Sequence, residues 1–132
     1  MKRLLFAFTL VLLVAGTGFA QQKKEAVFAI VGKSSTHDFG TIKEAKGAVE
    51  HTFKVKNEGK APLIITKVDP SCGCTSRDWT KEPIAPGKTG EIKITYDPAG
   101  RPNAFTKTIS VYSNGHTGIY TLTIKGVVES KQ

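Results

Sequence analysis

From residue 25 onward, apolar side chains return at every second position and hardly ever at every third or fourth. That period alone commits the chain to β structure. In "VEHTFKVK", Val49, His51, Phe53 and Val55 fall on one face, and Glu50, Thr52, Lys54 and Lys56 on the other. A strand with one buried face reads this way. "EIKITY" repeats the pattern with Ile92, Ile94 and Tyr96 inward. "FTKTISVY" does so with Phe105, Ile109 and Val111, interrupted by Lys107, and "YTLTIKG" with Tyr120, Leu122 and Ile124. "AVFAIV" (26–31) and "PLIITKV" (62–68) are continuously apolar, which predicts strands covered on both faces. No segment sustains a helical period.

Turn chemistry separates these runs. "NEGKAP" (57–62), "PIAPGKTG" (83–90) and "DPAGRPN" (97–103) hold five of the six prolines, which keeps those out of the strands. Asn114-Gly115 lies between two alternating runs and predicts a two-residue hairpin with both residues at positive φ. About seven strands, with turns every ~8–12 residues, argue for an all-β, antiparallel two-sheet sandwich. Antibody-type sandwiches carry two distant cysteines that join the sheets around a tryptophan. Here the two cysteines are near neighbours, so burial must hold the sheets. About a dozen inward Ile, Val, Leu and Phe at ~1.5–3 kcal/mol each are enough for that.

The first twenty residues follow a different rule. Lys2 and Arg3 precede an apolar run from Leu4 to Ala15, and small residues lead to Ala20. This is the order of a secretory signal peptide, and the run is shorter than the ~20 residues a membrane span needs. Gln21 follows Ala20, so the cysteine that lipidation after export requires is missing at that point. The expected layout is a signal peptide over 1–20, an N-terminal segment with the first strand over 21–34, one domain over 35–128, and a tail over 129–132. The mature protein, about 110 residues, has room for one domain with a real core and not two. It is expected to be periplasmic or secreted, with no membrane span after cleavage. The net charge is +8, of which Lys2 and Arg3 supply two. The remaining lysines alternate with apolar residues, forming a solvated face and not a basic patch. Export and the spread of charge both argue against nucleic acid as a partner.

Several stretches together carry a resemblance. They are Phe39-Gly40 after an acidic residue, Asn57 before Gly59, Ser71-Cys72-Gly73-Cys74-Thr75, and the Pro86-Gly87 turn. Over about residues 35–128 the chain resembles the bacterial domain-of-unknown-function family 1573. That family is exported, common in the Bacteroidetes group, and related to immunoglobulin-like domains of the ASPM–SPD-2–hydin (PapD-like) type. The resemblance implies an immunoglobulin-like sandwich; a shared fold does not by itself imply a function.

The chemistry-bearing residues are Cys72 and Cys74, separated by Gly73. Two nearby thiols in an oxidising compartment tend to pair. Two extended residue steps span ~6.6–7.2 Å, whereas a disulfide wants Cα atoms ~4.4–6.8 Å apart. Closure therefore needs a bend at Gly73, which glycine permits. Loop entropy for so short a link is roughly 1.6 kcal/mol, which makes a poor staple. Four readings stay open: two packing residues, a reversible thiol–disulfide site, Cu(I) held by two soft thiolates, and pairing with another chain. Zinc would need two further ligands from His37, His51 and His116, which are scattered in sequence.

Other motifs fail. Gly32-Lys33-Ser34 lacks the earlier glycine and the following helix of a phosphate loop. No serine stands in a nucleophile motif. His51 reads as a hydrogen-bonded core histidine. Asp38, Asp69, Asp78 and Asp97 stand beside turn signals. The expected function is that of a non-enzymatic binding or accessory module without a cofactor, engaging a protein or cell-envelope partner. Its contact loop runs from Asp69 to Lys81, with Ser71, Gly73, Thr75, Arg77 and Trp79 as contact residues. The competing class is a redox or Cu(I)-handling protein using Cys72 and Cys74.

Overall fold

The computed structural model describes residues 24–32 and 34–130. The segment read as a signal peptide and the start expected at Gln21 lie outside the described residues. Eight strands form: β1 (Phe28–Ile30), β2 (Thr36–Lys43), β3 (Val49–Asn57), β4 (Ile65–Pro70), β5 (Thr75–Trp79), β6 (Thr89–Tyr96), β7 (Asn103–Ser113) and β8 (Ile119–Glu129). A single 3-10 turn, Glu44–Lys46, separates β2 from β3. One sheet has the order β1-β3-β6-β5 and the other β2-β8-β7-β4. All pairs are antiparallel except β2 with β8, which is parallel. The fold is an immunoglobulin-like sandwich with eight strands where the sequence pattern gave about seven.

The alternating runs behave as their period requires. Val55, Leu63, Val68, Ile92, Ile94, Ile109, Val111, Leu122 and Ile124 are fully buried between the sheets. At ~1.5–3 kcal/mol per side chain, this layer is the main source of cohesion. Tyr96 and Phe105 stack across it, with centroids 4.1 Å apart.

Three expectations are corrected. The continuously apolar runs are not covered on both faces. Val31, just after β1, and Ile64, just before β4, stay 46% and 38% exposed. Neither Asn114 nor Gly115 has positive φ; the β7–β8 turn runs through 114–118, with Gly118 in the left-handed region. Asn114 instead stands in for a strand partner. Its Oδ1 accepts the Ile64 N–H at 2.7 Å, and its Nδ2 donates to Pro62 O at 2.9 Å. Finally, the stretch from Asp69 to Lys81 is not one loop. Asp69 and Pro70 close β4, and 75–79 form β5, leaving 71–74 as a tight connection between the two sheets.

Asn57 is a polar side chain inside the fold with no exposed surface. Its Oδ1 accepts N–H groups from Val27 (3.2 Å) and Gly59 (2.9 Å). Its Nδ2 donates to Ala61 O (2.7 Å) and Ile84 O (2.9 Å). One side chain thus satisfies backbone groups from three separate segments, as a buried amide must.

Side chains also close the edges that could recruit another strand. Ser34 Oγ accepts the Thr36 N–H and donates to Thr36 O, both at 3.0 Å. Asp38 Oδ1 accepts the Gly40 N–H at 2.8 Å, and Asp78 Oδ1 accepts the Trp79 N–H at 2.9 Å.

Candidate functional site

The 71–74 connection carries the two cysteines, and Ser71, Cys72 and Cys74 in it are each tied down. Ser71 extends the β4–β7 pairing. Its N–H donates to Thr108 O at 2.9 Å, and its Oγ accepts the Thr108 N–H at 3.2 Å. The chain then turns at Gly73, and the Thr75 N–H donates to Cys72 O at 3.2 Å. Cys74 O accepts the Asp97 N–H at 2.9 Å, fixing the turn to the end of β6. The bend brings the Cys72 and Cys74 Cα atoms to 5.2 Å, and the sulfurs are bonded. The Cys72 sulfur also accepts the Cys74 N–H at 3.1 Å. Cys72 is half-buried while Cys74 is 5% exposed; Ser71 and Gly73 are open to solvent.

The other expected contact residues lie elsewhere. Thr75 is 4% exposed, and its hydroxyl lies 3.8 Å from the Cys74 sulfur. Arg77 Nε donates to Val68 O at 3.1 Å, and Trp79 Nε1 to Ile65 O at 3.2 Å. These two side chains reach from β5 to the carbonyls of β4 and seal the seam between the sheets. Lys81 covers the Trp79 ring, its Nζ 3.1 Å from the centroid. Trp79 is therefore a half-buried seam residue and not a free aromatic contact. Of the expected contact residues, Ser71, Gly73 and Arg77 are exposed, Ser71 and Gly73 at the turn and Arg77 on β5.

On the side of the sandwich away from the cysteine turn the structure joins two histidines that are fourteen positions apart in sequence. His37 of β2 and His51 of β3 stack across the sheets, centroids 3.6 Å apart and planes 7° off parallel. Phe39 meets His37 edge-on at 4.6 Å, and Phe53 meets His51 edge-on at 4.7 Å. So the histidines are not all scattered, and ring contacts hold His51. The repeated His-x-Phe spacing in "HDF" and "HTF" is the signal that pairs them. Among the described residues, no three His, Cys, Asp or Glu side chains stand together to hold a metal ion. His37 lies on edge strand β2 and His51 on β3, one strand in from the edge, whereas the cysteine pair joins the opposite edge strands β4 and β5.

Burial, and next the neighbouring His37, hold the His51 imidazole below its usual value. The nearby charges are occupied: Glu50 pairs with Lys93 at 3.4 Å on the outer face, and Asp38 with the Gly40 N–H. The unfolded chain then takes up a proton at position 51 more readily than the folded one. The stability due to this site is complete above about pH 6.5 and declines as pH falls below it, levelling once the folded His51 is itself charged. Thermal unfolding followed from about pH 7.5 to 5.5 should show a falling midpoint, and His51→Phe should flatten it. Parallel curves for the two proteins would contradict this.

A family of proteins of unknown function, DUF1573, matches residues 30–128. The chain belongs to this family. No curated protein matches it. Among solved structures, this DUF1573 domain is similar to a protein of unknown function from Porphyromonas gingivalis W83. The TM-score is 0.69 and the identity 18%, with 83% of this chain and 51% of that one covered. The chain thus spans about half the length of that protein. It is also similar to an ASH/PapD-like domain of human CEP192, with TM-score 0.60 and identity 9%, covering 84% and 91% of the two chains. The YadV chaperone matches with TM-score 0.50 and identity 14%, covering 80% and 52%. At these identities the likeness shows the fold alone.

Within the DUF1573 fold, the arrangement offers two kinds of chemistry at one place. The 71–74 turn is rigid and exposed at its tip, which suits docking. It also carries a disulfide in which Cys72 is only partly buried at the margin of the core and Cys74 is buried, which suits exchange. A shallow, open depression on the outer face of the first sheet is lined by Thr52, Asp78, Trp79, Thr80, Glu91 and Lys93. Its charges of both signs are those of a solvated face. No helix among the described residues is long and apolar enough to cross a membrane.

Proposed function

We propose that this protein is an exported, non-enzymatic binding module of the periplasm or cell surface, docking a protein partner of the envelope through the 71–74 turn. The observation that carries this reading is the clamping of that turn. The disulfide, the double contact of Ser71 with Thr108 and the Asp97–Cys74 bond hold it in one shape, while Ser71 and Gly73 face solvent. A preformed loop loses little conformational freedom on binding, so more of its contact energy appears as affinity. Loops at sandwich ends commonly serve this purpose. Two structural neighbours, a PapD-like domain and a chaperone, accord with an interaction role.

Gly73 supplies the test. A side chain added there meets nothing within 4 Å and needs no unusual backbone angle. A photo-crosslinking residue at position 73 should leave the fold unchanged and give a discrete crosslinked product in intact cells. The same probe at Thr121, on the outer face of β8, should give none. Equal labelling from both positions, or none from position 73, would remove the turn as the docking element.

A second reading assigns redox or Cu(I) handling to the same sulfurs. Cu(I) requires both as thiolates, so that role belongs to the reduced form only. The position of Cys72 at the margin of the core favours the redox version.

A further inference from the structure

We propose that Cys72 and Cys74 form a thiol–disulfide exchange site in which Cys72 is the exchanging sulfur and Cys74 the resolving one, acting on a dithiol carried by another protein. This concerns the sulfurs alone and stands whether or not the turn docks the partner described above.

Three observations give the two cysteines different roles. The first is access. Cys72 is half-buried, Cys74 is 5% exposed, and the space around Gly73 beside them is empty. Cys72 packs at the margin of the core and Cys74 inside it, so Cys72 is the more open of the two to an incoming thiolate. The second is the hydrogen bond from the Cys74 N–H to the Cys72 sulfur at 3.1 Å. A backbone donor aimed at a sulfur favours its thiolate. Cys74 has only the Thr75 hydroxyl, at 3.8 Å and inside the core wall. The third is retention. Ser71 is clamped to Thr108 and Cys74 O to the Asp97 N–H, and neither contact involves the sulfur bond. Opening the disulfide therefore leaves Cys74 beside Cys72, ready to resolve a mixed disulfide.

The step balances as follows. A thiolate of the partner dithiol attacks the Cys72 sulfur. A new bond forms between those two sulfurs, and the Cys72–Cys74 bond breaks. Cys74 leaves with the electron pair and takes a proton from water. The second thiolate of the partner then attacks its own bonded sulfur, releasing Cys72 as a thiolate. Two electrons have moved: the partner is oxidised to its disulfide, and Cys72 and Cys74 are reduced. In reverse, the Cys72 thiolate attacks a partner disulfide and Cys74 resolves the product.

The test compares Cys74→Ser, which leaves the more open sulfur and its backbone donor, with Cys72→Ser, which leaves the buried one. The probe is 5,5′-dithiobis(2-nitrobenzoate), under conditions where both variants are folded. Cys72 is expected to react at least about tenfold faster than Cys74. In the unsubstituted protein, brief treatment with glutathione and quenching with iodoacetamide should place glutathione on Cys72 and the alkyl group on Cys74. Both lie in one tryptic peptide, 68–77, whose fragmentation separates them. Rates within about threefold, glutathione on Cys74, or a folded disulfide that resists excess thiol would overturn the assignment. If either serine variant fails to fold, the trapping experiment on the unsubstituted protein decides alone.

Discussion

Asn57→Ala should lower the unfolding midpoint by roughly 20 °C. Removing the amide strands the N–H groups of Val27 and Gly59 and the carbonyl of Ala61, all bonded to it in the folded protein. Ile84 O keeps a partner in the Leu63 N–H at 2.9 Å. Orphaned buried groups cost ~1–3 kcal/mol each. Three of them, partly reached by water, come to about 4 kcal/mol, and a domain of this size shifts ~4–8 °C per kcal/mol. The cavity at a fully buried position adds to the loss. Asn57→Asp separates the hydrogen-bond argument from the volume argument. It keeps the shape but turns a double donor into an acceptor facing two carbonyls. Asp should therefore match Ala near neutral pH and recover part of the loss in acid, where the carboxyl holds a proton and donates again. A midpoint within about 5 °C of the parent for either variant at neutral pH would show that Asn57 does not hold these segments together.

This hub also marks where sequence reading stops. β3, β6, β7 and β8 were legible because each buries one face, which writes a period of two into the chain. β2 and β5 were not. They are edge strands, and residues such as Ser76, Arg77 and Asp78 carry no apolar alternation because water covers most of that strand. Without β5, the cysteine turn looked like the middle of a long loop. Only the strand shows that 71–74 passes from one sheet to the other, and that Arg77 and Trp79 belong to the seam. Asn57 stood out as part of a recognisable stretch, but its partners at 27, 61 and 84 become neighbours only in the fold. The same holds for His37 and His51, whose contact depends on which strands face each other across the sheets. What was readable is local and periodic; what was not depends on which edges meet. The bend at Gly73, set by chain geometry alone, was legible as the condition for a Cys72–Cys74 bond, and the structure meets it.

Gly126→Val should also be strongly destabilising, because two neighbours already occupy the space a side chain needs. Gly126 pairs with Phe105 across β7 and β8. A β-carbon there would lie 2.9 Å from a Phe105 ring carbon and 2.8 Å from the carbonyl oxygen of Gly40. The ring could yield alone, but it stacks on Tyr96 at 4.1 Å and closes this end of the core. The Gly40 carbonyl is backbone, held in place where the β2–β8 register shifts between Asp38 and Thr41. Overpacking a well-filled site costs ~1–3 kcal/mol. With ring and backbone both displaced, about 3 kcal/mol is expected, or a loss of roughly 15 °C in the midpoint. Phe105→Leu in the same chain gives the internal control. A smaller side chain opposite position 126 should recover part of that loss, although Phe105→Leu alone destabilises. If the double variant is no more stable than Gly126→Val, the clash lies with the Gly40 carbonyl. β2 should then show faster amide exchange than β7. If Gly126→Val melts like the parent, the close approach of the three strands at this point is wrong.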